Sequence, residues 1–435
     1  MAAGEGKRIG RETAQVFLNY PGKRTPEEIL AVPPSDFVPI TRTGSTNRLY
    51  FGDNLGVLAQ LAQDSTVAGK VRMVYIDPPF ASQASFQSRK QTHAYDDNLV
   101  GPQFIEFLRE RIIWIHRLLA DDGSLFLHLD ERMAFHFRLV LDEIFGPQNY
   151  RNCITRKKCN PKNYTKKTFG NTADYILFYS KSDNYVWNRP MEPWTEQRAN
   201  QEYQYVEIAT GRKFKKVPVH APGVRNGETG KPWRGKLPPP GKHWQYLPSA
   251  LDEMDSRGEI YWSPTGNPRR KIYLADSEGI PLQDIWTDVR DAHNQNVKIT
   301  GYPTEKNPEI LKRFILASSN PGDLVLDCFA GSGTTLAVAA ELNRSWIGVD
   351  KSTEAIKTIL HRFAHGLKAM GDFVSPIEPD SQLGLDLAEE QQQSSSLEAA
   401  RHEPIVDYDL ICESTNVAQF KALLDDSPAL EPEYV

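Results

Sequence analysis

Short apolar runs alternate with amphipathic stretches over the first 180 residues, and the alternation predicts the elements. Arg48-Leu49-Tyr50-Phe51 reads as a short strand ended by Gly52-Asp53. Leu55, Leu58 and Leu61 then recur at helical spacing, with Asp53 or Asn54 available as the cap. In Val71-Arg72-Met73-Val74-Tyr75-Ile76, five of six residues are apolar or aromatic, as in a strand covered on both faces. Pro78 and Pro79 fix φ and remove two backbone donors, so that strand stops at Asp77-Pro78-Pro79-Phe80. Residues 81–102 are polar and irregular and predict a long loop. From Phe104 to Leu119, Ile105, Leu108, Ile112, Ile115 and Leu119 share one helix face, and Asp121-Asp122-Gly123 is expected to end that helix. Ser124–Leu129 predicts another buried strand, and a helix around Glu131 to Ile144 stops before Gly146-Pro147. Strand and helix in alternation predict an α/β domain with a parallel sheet.

Cys153–Arg156 and Tyr175–Tyr179 predict two further strands, on either side of a loop with Lys157, Lys158, Lys162, Lys166 and Lys167. From about 183 to 290 the helical period fades, prolines and glycines multiply and six tryptophans appear, which reads as an inserted β-rich or irregular region. Beyond it, Glu309–Ala317 is helical, Leu324–Asp327 opens a strand, and Ser345–Val349 is the next strand, ended by Asp350. A helix through Ile356 and Leu360 follows. Only one strand clearly follows Leu324–Asp327, so strands from residues 48–180 have to complete that sheet. The expected organisation is an N-terminal extension (1–45), a first half-domain (46–182), an insertion (183–290), a second half-domain (291–374) and an acidic tail (375–435).

Charge changes this picture in one respect. The net charge of −5 over 435 residues hides a tail, 376–435, with 14 Asp/Glu against 2 Lys/Arg. The remaining 375 residues carry 49 basic and 42 acidic side chains, and 151–245 alone has 19 basic against 7 acidic, interleaved with aromatics. Phosphate is the obvious neutralising partner for such a surface, and the aromatics suit stacking on bases. The four cysteines form no CxxC pair, so neither a zinc site nor a disulfide framework is expected. The opening stretch does not read as a signal peptide and no apolar run is long enough to span a bilayer, so a reducing cytoplasm is the expected setting.

Two stretches carry chemistry. Asp77-Pro78-Pro79-Phe80 puts a carboxylate and a flat apolar ring at a strand's carboxyl end, where open α/β sheets place ligands; alone it would equally suit a plain Pro-Pro turn. The second is Asp327-Cys328-Phe329-Ala330-Gly331-Ser332-Gly333-Thr334, a strand end and glycine turn that open a helix, with Asp350 closing the next strand. Glycines there let backbone approach a nucleotide, and such an acid can take a ribose diol. The third glycine of the dinucleotide fingerprint is missing, and Asp327 would repel a pyrophosphate. S-adenosylmethionine, whose reactive end is cationic and free of phosphate, suits the site better than NAD.

Asp77-Pro78-Pro79-Phe80 and Phe329-Ala330-Gly331-Ser332-Gly333, in that order, resemble the amino-methylating DNA methyltransferases of the permuted group, in which the catalytic motif precedes the cofactor motif. Tyr302-Pro303-Thr304-Glu305-Lys306-Asn307 is similar to that family's HPTQKP segment without its glutamine and second proline, and Gly52-Asp53-Asn54-Leu55 matches its start. Type III modification subunits and solitary adenine methyltransferases look most similar. The resemblance implies a Rossmann-like sheet in permuted order with the insertion as target-recognition region. It implies that Phe329 to Gly333 wrap the methionine end of S-adenosylmethionine, with Asp327 and Thr334 flanking that loop. It places Asp350 on the ribose, Asp53 on the adenine edge, and Thr304 and Lys306 near the methionine part. Asp77 and the Pro78 carbonyl would accept the two N–H bonds of an exocyclic amine, with Phe80 stacked on a base flipped out of the duplex. Adenine N6 is the expected target; cytosine N4, with the same kind of amine, is the alternative, and an RNA or protein methyltransferase would share only the cofactor half. Neither a metal nor a covalent cysteine is needed. The implied partner is double-stranded DNA, contacted by the lysines of the 157–167 loop, with a second copy and a restriction subunit as further candidates. The implied setting is the prokaryotic cytoplasm and nucleoid. The tail reads as a linker and a short ordered piece near Tyr408–Ile411, able to compete with DNA or to dock a partner.

Overall fold

Apolar runs of four to six residues need cover on both faces, and a parallel sheet between helices supplies it. The computed structural model describes residues 16–78, 85–87, 93–96, 101–160, 167–292, 298–302, 305–369 and 404–425. They form two units, residues 189–282 and the remainder. The larger unit is built on one ten-stranded sheet. Its strands are β1 (Phe37–Thr41), β2 (Arg48–Phe51), β3 (Val71–Ile76), β4 (Leu119–Leu129), β5 (Tyr150–Lys157), β6 (Ala173–Ser180), β7 (Ile285–Trp286), β8 (Leu324–Asp327), β9 (Ser345–Asp350) and β10 (Asp409–Glu413).

In space the order is β1-β10-β2-β9-β8-β3-β4-β6-β5-β7. The six strands from β10 to β4 run parallel, β6 reverses against β4, and β5 reverses against β6. Thus β8 and β9, some 250 residues later in the chain, lie between β2 and β3, with Leu326 opposite Val74 and Gly348 opposite Leu49. The two halves make a single α/β sheet in permuted order, as the motif order predicts.

Besides a short helix, Pro26–Leu30, the larger unit has the helices α1 (Asn54–Leu61), α2 (Gly101–Leu118), α3 (Ala134–Phe145), α4 (Pro308–Ser318), α5 (Thr334–Glu341), α6 (Thr353–His365) and α7 (Val417–Asp425). Leu58, Leu108, Ile112 and Phe137 from α1, α2 and α3 join Val74, Ile76, Leu125 and Leu127 of the sheet in one buried core. Each such side chain contributes about 1.5–3 kcal/mol by leaving water. Elsewhere Phe314 of α4 stacks on Phe126, with ring centroids 4.3 Å apart, and on Trp286 at 5.2 Å.

Three expectations change. Asp121-Asp122-Gly123 does not end α2; it lies inside β4 as a bulge, since Val71 pairs with Leu119 and Met73 with Ser124. A side chain at Gly123 would stand 2.8 Å from the Val71 carbonyl oxygen, so the bulge needs glycine. The polar stretch read as irregular contains a hairpin, Ser85–Gln87 against His93–Asp96. The ordered piece expected in the acidic tail is a full strand of the central sheet, β10, followed by α7.

The smaller unit has a four-stranded antiparallel sheet, formed by Tyr205–Val206, Lys213–Pro218, Pro268–Tyr273 and Ile260–Trp262. Its own core holds Val219, Trp233, Trp244, Leu251, Met254 and Ile260. Most of its tryptophans are thus packing residues, with indole N–H groups bonded to Asp252, Asp255, Ser277 and the Lys231 carbonyl.

Candidate active site

Asp77 and Pro78 follow the last residue of β3, next to the end of β8. Lys306 Nζ lies 2.5 Å from Asp77 Oδ2, while Oδ1 is buried and has no hydrogen-bond partner among the described residues. A buried acceptor without a donor is costly, and it marks a position that a ligand N–H can fill. Pro79 and Phe80 lie outside the described residues, so the stacking expected of Phe80 has no geometry here.

One strand over, Asp327 ends β8 and is buried. Its Oδ1 accepts the Phe329 N–H at 3.0 Å and its Oδ2 the Thr335 hydroxyl at 2.5 Å. Burial pushes this carboxyl up to about 7 against those two bonds, and the charges of Asp77 and Asp350 push the same way. The loop that follows turns at Gly331 (φ 51°) and Gly333 (φ 71°), where other residues are strained. A Cβ on Gly333 would also meet Ile359 Cγ1 at 2.9 Å. The loop is held from both ends. The Ala330 N–H donates to the Val349 carbonyl at 3.0 Å and the Gly331 N–H to Asp350 Oδ2 at 2.8 Å. Arg362 of α6 donates to the Ser332 carbonyl at 3.2 Å and to Thr334 Oγ1 at 2.8 Å. Thr334 opens α5, and Ser332 bonds to it through its hydroxyl.

Asp350, expected on a ribose, uses one oxygen on the Gly331 N–H and the other on the Ser352 N–H. Burial raises its pKa against those bonds. Each oxygen keeps a second lone pair, so bracing the loop leaves capacity for a diol. Asp53 caps α1 through the Leu55 N–H at 2.9 Å, and with a 44 % exposed side chain it stays open to a ligand.

Sequence reasoning missed the residues that tie these motifs together. Asn54 is buried; its Nδ2 donates to the Cys328 carbonyl at 2.7 Å and its Oδ1 accepts from Arg111 Nε at 2.5 Å. Arg111 also donates to Asp53 at 3.3 Å and lies over the Phe107 ring at 3.6 Å, and Phe107 in turn meets Phe329 edge-on. Arg109 and Arg111, two arginines among the buried residues of α2, are the signal nearest to it, and the sequence does not say which of them reaches Asn54.

The 302–307 segment departs from the usual motif for visible reasons. Glu305 is buried, accepts the Thr300 N–H and hydroxyl at 2.9 and 2.7 Å, and faces Arg362 at 3.5 Å. Asn307 caps α4 through the Glu309 N–H at 3.0 Å. Lys306, between these two anchored neighbours, lies on Asp77, which was not expected of it. Thr304 lies outside the described residues.

Lys157 and Lys158 sit at the end of β5 and Lys167 is exposed; none is paired with a carboxylate among the described residues, and Lys162 and Lys166 lie outside them. Beneath that end of the sheet runs a buried polar chain that sequence reasoning did not find. Tyr75 Oη lies 2.8 Å from His128 Nδ1, His128 Nε2 lies 2.9 Å from Asp174 Oδ2, and Arg156 binds Asp174 through two nitrogens at 3.0 and 2.6 Å. Arg156 also reaches Asp291 at 2.7 Å.

Asp327 and Asp350 thus end the adjacent strands β8 and β9, a pair that repels phosphate and favours a cation, while Asp77, just past the end of β3, is already paired with Lys306. With a glycine turn open to backbone approach and Asp53 exposed at the next strand end, these residues fit S-adenosylmethionine. No helix among the described residues is long and apolar enough to cross a membrane.

The chain is 45% identical over 399 residues to the type II methyltransferase M.EcaI of Enterobacter cloacae, covering 90% of this chain and 85% of that one. It is 28% identical to the DNA adenine methyltransferase YhdJ of Escherichia coli K12, over 74% of this chain and 84% of that protein. With the Mod subunit of the type III restriction-modification enzyme StyLTI of Salmonella typhimurium it shares 24% identity over 69% of its own length and 50% of the other's. The profile of the N6_N4 family of DNA methylases matches residues 71–361, and the chain belongs to that family as an S-adenosylmethionine-dependent DNA methyltransferase.

Proposed function

We propose that the protein methylates the N6 amine of an adenine flipped out of duplex DNA. The observation that carries the reading is Oδ1 of Asp77 at the end of β3, buried and without a donor among the described residues, with Lys306 occupying Oδ2. An exocyclic amine is a poor nucleophile because its lone pair is delocalised into the ring. Asp77 Oδ1 and the Pro78 carbonyl accept its two N–H bonds, and this draws the nitrogen toward tetrahedral geometry and frees the lone pair. Lys306 fixes the carboxylate so that the remaining oxygen faces the amine. The bound cofactor supplies an electrophilic methyl on a positively charged sulfur. The chain's task is then positioning, which is worth several kcal/mol in well-oriented reactions. Phe80 stacks on the base, Asp53 meets the adenine edge of the cofactor, and the Phe329–Gly333 loop holds its methionine end.

Adenine is favoured by the similarity to an enzyme named for adenine. Cytosine N4 presents the same amine, and nucleoside analysis of DNA methylated by the protein separates the two: N6-methyladenine supports the reading, N4-methylcytosine replaces it. The insertion is the candidate reader of the target sequence, and a restriction subunit is the candidate partner.

The raised pKa of Asp327 gives a pH dependence. A cation against Asp327 stabilises its ionised form, so affinity for S-adenosylmethionine is expected to rise between about pH 6 and pH 8, with proton release below neutrality. S-adenosylhomocysteine lacks the sulfonium and should respond less. Calorimetry in two buffers of different ionisation enthalpy counts the protons; identical profiles for both ligands would remove Asp327 from the sulfonium's surroundings. For folding the sign is opposite. The native state keeps a proton that the unfolded chain releases, so this contribution is full below 3.8 and is lost as the pH rises through about 7.

A further inference from the structure

We propose that the C-terminal segment 404–425 is part of the cofactor site, and that Glu413 is the residue through which it acts. The proposal rests on the reading that Asp53 meets the cofactor's adenine.

β2 pairs in parallel with β10 over its whole length, Arg48 opposite Asp409 and Phe51 opposite Cys412. Gly52, the residue after β2, therefore comes beside Glu413, the last residue of β10. Glu413 Oε2 accepts the Asp53 N–H at 3.1 Å. Gly52 has no room for a side chain: a Cβ there would meet Glu413 Cβ at 2.9 Å and Oε2 at 3.0 Å. The Gly52 N–H donates to the Asp350 carbonyl at 3.0 Å, which carries the β2–β9 pairing up to Asp350 and the residue before Asp53. Glu413 holds the Gly52-Asp53 backbone from the other side.

The rest of the segment is anchored to the same wall. Leu410, Cys412 and Phe420 are buried, with Phe420 against Phe51 at 6.2 Å. Tyr408 packs on Trp346 and Phe363, the Ile405 N–H donates to the Phe363 carbonyl at 3.0 Å, and Gln419 donates to Thr353 at 2.6 Å. Those contacts fall on β9 and α6, and α6 carries the Arg362 and Ile359 that hold the glycine turn. The segment therefore braces the nucleoside end of the site, and Glu413 is a positioning residue for Asp53. Docking of β10 and binding of S-adenosylmethionine are then coupled, each favouring the other.

The test measures S-adenosylmethionine binding and steady-state methylation for Glu413→Ala, Glu413→Gln and Asp53→Ala in the full chain. Loss of one backbone hydrogen bond at the binding turn is expected to raise the cofactor Kd and KM of Glu413→Ala about tenfold, with kcat at saturation retained. Glu413→Gln keeps an acceptor and should bind within about twofold of wild type. Asp53→Ala should weaken binding at least as much. Hydrogen exchange in the wild-type chain provides a measurement free of variants: amides of 409–413 should exchange more slowly with cofactor bound. Normal binding by Glu413→Ala beside weakened Asp53→Ala overturns the role of Glu413 and leaves the site reading intact. Normal binding by Asp53→Ala overturns the adenine contact itself. Equal weakening in Glu413→Ala and Glu413→Gln, or exchange indifferent to cofactor, also overturns the proposal.

Discussion

An Asp77→Ala variant is expected to lose methyl transfer by roughly three orders of magnitude or more while binding S-adenosylmethionine within about twofold of wild type. The two halves of that expectation have separate physical causes. Asp77 stands at the end of β3 with Oδ1 buried and without a donor among the described residues, so in the proposed reaction it is an acceptor for a substrate N–H made only when a base enters. Removing it deletes an interaction that strengthens as the amine becomes tetrahedral, and such losses fall on kcat. The cofactor loop is braced by other groups, among them the Val349 carbonyl, Asp350 and Arg362, none of which relies on Asp77. The lysine released from Asp77 is an added cost to the base site. Transfer of labelled methyl to DNA at saturating cofactor, beside equilibrium binding, checks both halves. Turnover retained within tenfold would remove Asp77 from the chemistry, and loss of cofactor binding would move it to the other half-site.

Much of this site was legible because its signals are local. A buried parallel strand is an uninterrupted apolar run, its end is punctuated by prolines, and a glycine turn between strand and helix has few other uses. Those three facts put Asp77, the 329–333 loop and Asp350 at strand ends, and the order of the motifs implied that strands from residues 48–180 complete the sheet of β8 and β9; where in the sheet the two enter was not legible. What stayed hidden is held by pairs distant in sequence. Asn54 meets Cys328 across 274 positions, and Lys306 meets Asp77 although its motif pointed to the cofactor. No window of sequence contains either pair. Composition also misleads where a minority of residues decides: β10 sits in a strongly acidic tail, yet Leu410 and Cys412 suffice to enter the sheet beside β2. Glu305 shows the converse, a charged residue in a motif whose buried partner, Arg362, lies 57 positions on.

The buried chain beneath the base platform should dominate stability. Asp174→Ala is expected to cost about 3–5 kcal/mol, the range found when one partner of a buried ion pair is removed. Burial pushes the Asp174 carboxyl upward, but His128 and the Arg156 guanidinium outweigh it and hold the group well below the usual carboxylate range. Without Asp174, Arg156 keeps, among the described residues, the carboxylate of Asp291, which is partly exposed, and His128 keeps Tyr75 but loses the acceptor beside its Nε2. Asp174→Asn, similar in size and still an acceptor, should lose less, and Tyr75→Phe, which removes one hydrogen bond, only about 1 kcal/mol. The midpoint of urea unfolding reads this series, and an Asp174→Ala chain as stable as wild type would show that the chain contributes no net stability. The four strands it crosses, β3, β4, β6 and β5, lie on the Asp77 side of the sheet, whereas the glycine turn proposed to hold the cofactor follows β8 and is braced from β9. Tyr75 lies in β3 two residues before Asp77, so the damage should reach the proposed catalytic carboxylate before it reaches the proposed cofactor loop. At temperatures where Asp174→Asn remains folded, its methyl transfer should therefore fall further than its affinity for S-adenosylmethionine.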